Sequence, residues 1–179
     1  MENRKKTVAE SRAEHSRIIM RGDTNGTGRL FGGRLVEWID MVAGVVARRH
    51  SNCNVTTASI DELAFISSAH ADDTILLIGQ IAYVGRTSME VRVDTFVERL
   101  DGEKHRVNIA YLTMVALDWA DRPTEVPRLI LTTDGERAEF KNGCERAAQR
   151  KLRRGQEKKR ENADEGSKQD SGVHTIGEC

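Results

Sequence analysis

One carboxylate stands alone in the most apolar stretch of the chain. Asp40 is the only charged residue between Trp38 and Ala47. Burial in such surroundings disfavours the charged form of a carboxyl group and tends to raise its pKa, which suits a general base that works near neutral pH. The alternative is a structural role, in which Asp40 faces a polar edge or pairs with Arg48 or Arg49. The residues alone leave both interpretations open.

A second candidate is a loop rich in glycine and asparagine that precedes this stretch. Residues 23–33 include Asn25, Gly32 and Gly33 and run into the predicted start of a helix. Backbone N–H groups at a helix start can bind a negative charge or a developing oxyanion, and glycine lets a substrate approach the backbone closely. The order of the glycines matches neither a phosphate-binding P-loop nor a dinucleotide fingerprint. A plain turn is the alternative interpretation.

The hydrophobic pattern predicts the helix that must position these residues. Leu35, Ile39, Val42 and Val46 recur at helical spacing, which predicts a helix over residues 33–49. Because this segment is apolar on most of its circumference, we expect it to be buried.

Later segments change to the alternating pattern of strands. Turn signals at Gly85 and at residues 101–102 separate them, and short connections predict antiparallel pairing. The fold class is therefore predicted to be α+β, with an antiparallel sheet wrapped around one long central helix. The predicted strands are residues 17–20, 54–63, 74–84, 89–98 and 107–117.

Composition excludes several function classes. The 179 residues contain 28 Lys and Arg against 28 Asp and Glu, and this zero net charge argues against a whole-protein role on nucleic acid or membranes. No apolar run is long enough for membrane insertion. Three cysteines without a C-x-x-C pair, and a polar N-terminus without a signal-peptide core, predict a cytoplasmic protein.

The composition also divides the chain into zones. We expect a loose polar N-terminal segment at 1–11, the main domain at 12–133, a charged basic helix at 134–161 and a disordered tail at 162–179. Six of residues 151–160 are basic, which raises the alternative of a polyanion-binding module. That run has no aromatic side chain to stack on a base, so a solvated helix end is the favoured interpretation.

Several motifs together resemble a known family, the hot-dog-fold acyl-CoA thioesterases, or acyl-CoA hydrolases. The resemblance covers about residues 15–130 and implies the hot-dog fold. The residues that carry it share the family's spacing: Asn25, Gly28, Gly32, Gly33 and Asp40, then Arg49 and His50, then Thr57, Asp61 and Phe65, then GRTSMEV at 85–91.

The resemblance implies roles for the candidate residues. Asn25 and Asp40 correspond to the family's catalytic pair, and the backbone at Gly32 and Gly33 would polarise the thioester carbonyl. Thr57 stands where many members place a threonine near the reacting centre. Asp40 would act as a general base on water or as a nucleophile, and the sequence leaves both open.

The resemblance also implies the substrate and the assembly. Arg86, Thr87 and Ser88 match the loop associated with the nucleotide end of coenzyme A, which is part of the substrate rather than a cofactor. The family commonly assembles as three dimers in a hexamer. One segment departs from the family pattern: residues 66–73 lack the usual Pro-Val before a Gly-Asp turn, and this loop bears on substrate choice.

Metal chemistry and a non-catalytic role are the remaining alternatives. His50 and Cys53 supply two potential ligands, which make no metal site. A regulatory member of the same fold that binds acyl-CoA without hydrolysing it is the rival from another class. Such a protein would be expected to lack Asn25 or Asp40, and both are present.

Helix geometry predicts that the active site is shared between two chains. Asp40 follows Gly33 by seven residues, which is about 10 Å along a helix axis. A reacting carbonyl must lie about 3 Å from both the attacking group and the oxyanion donors. We therefore expect two antiparallel copies to bring Asn25 of one chain against Asp40 of the other.

Overall fold

The computed structural model describes residues 4–169, and their elements follow the predicted order with additions at both ends. The elements are β1 (Lys5–Thr7), α1 (Val8–Ser11), β2 (Ala13–Ile18), α2 (Gly32–Ser51), β3 (Asn54–Phe65), β4 (Thr74–Val84), β5 (Ser88–Glu98), β6 (Lys104–Leu117), β7 (Arg128–Ile130) and α3 (Asp134–Gln169).

The main sheet is antiparallel and has the strand order β2-β4-β5-β6-β3. The two predicted hairpins are present: Gly85 N–H donates to the carbonyl of Ser88 over 2.8 Å, and Arg99 N–H donates to the carbonyl of Glu103 over 2.9 Å. Strand β3 does not pair with β4, the next strand along the chain, but lies against β6 at the far edge. The connecting residues 66–73 instead run past the start of α2, where Leu30 N–H donates to the carbonyl of Ala69.

Helix α2 packs on one face of this sheet. Its buried residues Ile39, Val42 and Val46 belong to the core, and burying each such side chain contributes about 1.5–3 kcal/mol. Gly79 of β4 permits the close approach, since a Cβ there would lie 2.7 Å from Val42 Cγ1 and 2.9 Å from Val46 Cγ2. A side chain at this position would therefore force these valines or the helix backbone to shift.

The helix is not buried on all sides, contrary to the sequence-based expectation. Met41 is 49% exposed and Val45 is 43% exposed, so the face opposite the sheet is apolar and uncovered in the single chain. The helix ends at Ser51, where Asn52 takes the left-handed conformation (φ 56°) and its N–H donates to the carbonyl of Arg48. Asp40 lies at the border of the two faces and is half-buried.

The N-terminal segment is ordered from Lys5 onward, rather than loose. Strand β1 pairs in parallel with β7, and Thr7 and Glu10 form a capping box around α1. The Lys6 ammonium group donates to the carbonyl of Arg49 and to Asn52 Oδ1, at the C-terminal end of α2 where a positive charge is favourable. These elements are too short to leave a periodic signal in the sequence.

A buried histidine joins this segment to the rest of the domain. His50 Nε2 lies 3.0 Å from the carbonyl oxygen of Pro127, and Nδ1 lies 2.9 Å from Ser11 Oγ. Because a carbonyl only accepts, Nε2 carries the proton and Nδ1 accepts from the Ser11 hydroxyl. The neutral imidazole therefore satisfies both neighbours.

His50 predicts a loss of stability in mild acid. Burial lowers the pKa of His50, and the charge of Lys6 lowers it by a smaller amount. The hydrogen bond to Pro127 and the charge of Glu10 raise the pKa, but they do not cancel the effect of burial. Below the ordinary pKa of about 6.5 the unfolded chain binds a proton that the folded chain resists, so the free energy of unfolding falls as pH drops. As the pH is lowered from about 8 to about 5, we expect the melting temperature of the wild type to fall toward that of His50→Gln. A constant difference between the two proteins would contradict this account.

The C-terminal helix α3 is longer than predicted, because it runs to Gln169 rather than to residue 161. Its first seven residues belong to the main compact unit, where the ring of Phe140 lies 5.2 Å from that of Tyr83; the second unit begins at Lys141. The tail predicted to be disordered overlaps this helix at 162–169, and the remainder at 170–179 lies outside the described residues. Over residues 4–169, no helix combines the length and apolarity needed to cross a membrane.

Candidate active site

The glycine-rich loop is held in place by a buried carboxylate. Asp23 Oδ2 accepts from Met20 N–H over 3.0 Å, and the side chain forms ion pairs with Arg17 (3.6 Å) and Arg34 (3.4 Å). The carbonyl of Asp23 accepts from Phe31 N–H over 2.9 Å, which ties the two ends of the loop together. In the sequence nothing marks Asp23 except its place in the loop.

The side chain of Asn25 has a defined orientation on this loop. Its Oδ1 accepts from Thr27 N–H (3.0 Å), the Thr27 hydroxyl (2.8 Å) and Arg29 N–H (3.2 Å). Because a backbone N–H only donates, these bonds place Oδ1 toward the loop and turn the Nδ2 amide away from it. Asn25 can therefore act as a hydrogen-bond donor to a molecule outside the loop.

The start of α2 offers further donors. Phe31 is the N-cap and makes no side-chain hydrogen bond to the first turn, so no N-cap side chain covers the N–H groups of Gly32 and Gly33. Gly32 and Gly33 lie on different sides of this helix start, because each lines a different cavity. Gly32 shares its cavity with Asn25, whereas Gly33 faces a cavity with Glu37. The structure thus brings one of the two glycines, rather than both, beside Asn25.

The cavity beside Asn25 has a volume of about 390 Å³. One wall is the loop and helix start, with Arg29 and Leu35; the opposite wall is residues 65–69, the beginning of the segment that departs from the family pattern. Sequence reasoning identified that departure without placing it. It missed Arg29, which has no distinguishing signal in the sequence.

Asp40 and Thr57 form a second cluster. The Thr57 hydroxyl donates to Asp40 Oδ1 over 2.6 Å and also lies 3.5 Å from Met114 Sδ. The suggested pairing of Asp40 with an arginine is wrong, because Arg48 bonds to Asn54 Oδ1 and Arg49 bonds to the carbonyl of Arg12. The burial expected for Asp40 is partial, since its side chain is half-buried.

Asp40 keeps an oxygen available for chemistry. In the part of the chain whose side chains the structure describes, its Oδ2 has no hydrogen-bond partner. Glu37, one turn earlier, is an exposed residue paired with Arg34 over 2.6 Å, as its position outside the apolar stripe predicts. Of the two carboxylates on this helix, Asp40 is therefore the one with an oriented and available oxygen.

A single chain does not unite the two clusters. Asn25 and Gly32 line the cavity, whereas Asp40 and Thr57 are absent from its walls. Phe65, at the end of β3, lines the cavity, and Thr57 lies near the start of the same strand. The donors and the carboxylate therefore lie toward opposite ends of β3.

The third group of candidate residues lies on the β4–β5 turn. The carbonyl of Thr87 accepts from Ala116 N–H, and that of Arg86 accepts from Val126 N–H, both over 3.0 Å. The Arg86 side chain is 79% exposed and lies 4.0 Å from the carboxylate of Glu125. The turn thus presents a guanidinium group to solvent on a fixed backbone, away from the cavity.

The described residues form no obvious metal centre. Between residues 4 and 169, no three His, Cys, Asp or Glu side chains converge as a metal site would require. Both nitrogens of His50 are engaged as described above, and Cys53 and Cys144 are free thiols.

The sequence is similar to that of proteins described as thioesterases. A family model described as the thioesterase superfamily matches residues 27–101. An uncharacterized acyl-CoA thioester hydrolase of Bacillus subtilis is 35% identical over 146 residues, which cover 81% of this chain and 85% of the relative. The cytosolic acyl coenzyme A thioester hydrolase of Rattus norvegicus is 30% identical over 83% of this chain, which spans only 40% of that protein's length.

Solved structures of proteins with similar descriptions superimpose on this chain. The acyl-CoA hydrolase of Staphylococcus aureus, in complex with butyryl coenzyme A and coenzyme A, superimposes with a TM-score of 0.84 at 30% identity, over 89% of this chain and 98% of that chain. A hexameric acyl-CoA thioesterase superimposes with a TM-score of 0.81 at 37% identity, over 84% of this chain and 97% of that one. The chain therefore belongs to the acyl-CoA thioester hydrolase family and has the hot-dog fold of these enzymes.

Proposed function

We propose that the protein hydrolyses acyl-CoA to a free fatty (carboxylic) acid and coenzyme A. The observation that carries this proposal is the Asp40–Thr57 pair, a carboxylate oriented by a hydroxyl with its second oxygen available. The outward amide of Asn25 beside Gly32 supplies the complementary donors. A carboxylate and oxyanion donors are the groups that thioester hydrolysis needs, so the reaction requires no cofactor or metal.

The reaction has two possible first steps. In one, Asp40 takes a proton from water as the water oxygen bonds to the thioester carbon; in the other, Asp40 itself bonds to that carbon, and water cleaves the resulting anhydride. In both, the carbonyl oxygen becomes an oxyanion that accepts hydrogen bonds from Asn25 Nδ2 and from the N–H group of Gly32, whereas Gly33, which lines the other cavity, takes no part. Collapse expels the coenzyme A thiolate, which takes up a proton.

We place each active site between two chains. Strand β3 is an edge strand of the sheet, and Ile60 on it is an exposed apolar residue, as are Met41 and Val45 on α2. Such an edge invites pairing with another chain. Antiparallel pairing of two β3 strands puts the start of one against the end of the other, and so brings Thr57 toward the partner's cavity. The hexameric relative supports assembly into an oligomer, and we propose that this chain forms a dimer and then a trimer of dimers.

The Staphylococcus aureus enzyme adds support for the choice of residues. It has been solved as variants in which an asparagine, an aspartate and a threonine are each replaced with alanine. Successive members of that trio are 15 and 17 positions apart in its chain, the same spacing as Asn25, Asp40 and Thr57 here. We propose that these three residues act together in this protein.

A panel of acyl-CoA thioesters, assayed for release of the free thiol, tests the proposed function. We expect turnover with at least one acyl class, and a chain-length preference that changes when residues 66–69 are replaced, because they form a wall of the cavity. Saturable binding without thiol release would favour the non-catalytic acyl-CoA-binding alternative.

Arg86→Ala is expected to raise KM for acyl-CoA about tenfold and to change kcat less. Arginine binds phosphate in a bidentate fork, and such charge-assisted bonds contribute about 1.5–3 kcal/mol. Arg99→Ala is the matched control, because Arg99 is also exposed and pairs with a single carboxylate, Glu103. An unchanged KM in the Arg86 variant would show that Arg86 is only part of the hairpin turn and does not bind the substrate.

The basic C-terminal run remains a weaker alternative as a polyanion-binding site. The side chains of residues 151–157 are exposed, and Arg153 lies 3.8 Å from Glu157 one turn later, an arrangement typical of a solvated helix. Residues 158–160 complete the run, but the structure does not describe their side chains. A cytoplasmic location likewise remains a prediction from the cysteine pattern.

A further inference from the structure

An exposed indole lies at the end of β6. Trp119 is 92% exposed, whereas Trp38, the only other tryptophan, is 1% exposed and lies in the core with the Arg17 guanidinium 4.0 Å from its ring. Aromatic residues make up 4% of this chain. A large aromatic side chain held in solvent contributes nothing to this core, so its position is more informative about binding than about folding.

The loop that carries Trp119 is held by several internal hydrogen bonds. Asp118 Oδ1 accepts from Ala120 N–H (2.8 Å) and Arg122 N–H (3.0 Å), and Asp118 Oδ2 lies 3.0 Å from the Arg122 guanidinium. The hydrogen bond from the Arg122 backbone is the largest of the effects that lower the pKa of Asp118. Leu117 and Pro123 pair across the base of the loop. Because the loop is already ordered, a ligand that stacks on the indole pays little entropy for fixing it.

Basic side chains surround this end of the sheet. The β4–β5 turn, with the exposed Arg86, contacts both sides of the loop's base through the hydrogen bonds from Ala116 and Val126 described above. Arg122 lies on the loop itself. Arg48 is exposed and bonds to Asn54, the residue that pairs with Leu117 at the end of β6.

This end of the sheet is also continuous with the proposed catalytic cluster. Met114, whose sulfur lies 3.5 Å from the Thr57 hydroxyl, precedes Leu117 by three residues on β6. At about 3.4 Å per residue, the end of the strand is about 10 Å from that contact. An extended pantetheine arm can therefore connect a thioester beside Asp40 to a nucleotide beside Trp119.

We propose that Trp119 stacks on the adenine of the acyl-CoA substrate while Arg86 and Arg122 hold its phosphates. This inference rests on the proposed function and adds a residue that determines preference for the nucleotide-bearing substrate. An aromatic platform beside guanidinium groups suits a phosphorylated nucleoside, because the base has a π-face and the phosphates accept charged hydrogen bonds. Stacking on an aromatic side chain contributes about 1–3 kcal/mol per base.

Intrinsic fluorescence gives a direct test on the full chain. Trp119→Phe leaves Trp38 as the sole tryptophan, so any signal lost in this variant belongs to Trp119. We expect adenosine 3′,5′-bisphosphate to quench the wild type saturably, the variant not to respond, and pantetheine to quench neither. Acrylamide should quench Trp119 in the free protein. An indole shielded from acrylamide, as it would be if another copy covered it, would overturn the proposal.

Kinetics give the second test. We expect Trp119→Ala to lower the ratio of kcat/KM for acyl-CoA to kcat/KM for the matching acyl-pantetheine about tenfold, within the range for a stacked base. Trp119→Phe should retain most of that ratio, because phenylalanine also stacks. An equal loss on both substrates, or no loss, would overturn the proposal. Nucleotide quenching in a wild type that hydrolyses neither substrate would support the stacking and reject the hydrolase function.

Discussion

Replacing Asp40 with asparagine is expected to lower the rate of acyl-CoA hydrolysis about 100-fold or more. The change keeps the size of the side chain, and an amide oxygen can still accept from the Thr57 hydroxyl. It removes the group that would take a proton from water or attack the carbonyl carbon. Steady-state thiol release by the folded variant measures the effect.

A matched control separates chemistry from folding in this experiment. Glu37→Gln makes the same chemical change on the same helix, at an exposed carboxylate paired with Arg34. We expect this variant to retain near-normal turnover and both variants to melt near the wild-type temperature. Near-normal turnover in folded Asp40→Asn would reject the mechanism.

Mixing two inactive variants is expected to restore activity. Asn25→Ala and Asp40→Asn should each be inactive as homo-oligomers, because every shared site then lacks one of its two halves. A mixed dimer contains one site with both Asn25 and Asp40 intact. After unfolding, mixing and refolding in equal amounts, random pairing predicts about a quarter of the wild-type sites, a large gain over either variant alone.

The control for this experiment uses two variants of the same half-site. Asp40→Asn refolded with Asp40→Ala cannot rebuild a complete site in any pairing, so this mixture should stay inactive. Differently tagged chains establish that mixed oligomers form. An inactive Asn25→Ala and Asp40→Asn mixture that contains mixed oligomers, or an active monomer, would reject the shared site.

Local pattern determined most of the elements. The spacing of Leu35, Ile39 and Val42 predicted a helix over residues 33–49, and the observed helix, Gly32–Ser51, is only slightly longer. Alternation and turn residues predicted β4, β5 and β6 and both hairpins between them. These features depend on neighbours a few residues apart, so a single sequence contains the physical information that specifies them.

The roles of the candidate residues depend on contacts that no local pattern encodes. The outward amide of Asn25 depends on bonds from Thr27 and Arg29, and the loop beneath it depends on Asp23, which joins Arg17 to Arg34. The sequence singled out Asn25 by its family spacing. Only the structure showed how its side chain is oriented.

Long-range packing decided the rest. The sequence alone suggested that α2 is buried all round, but Met41 and Val45 face solvent. Strand β3 lies beside β6 at an open edge rather than beside β4, the next strand in the chain. Pairing between strands far apart in the chain depends on the whole sheet's burial, not on any one segment's period. That choice places the cavity at one end of β3 and Thr57 near the other, so the tertiary structure is what separates the two halves of the proposed site.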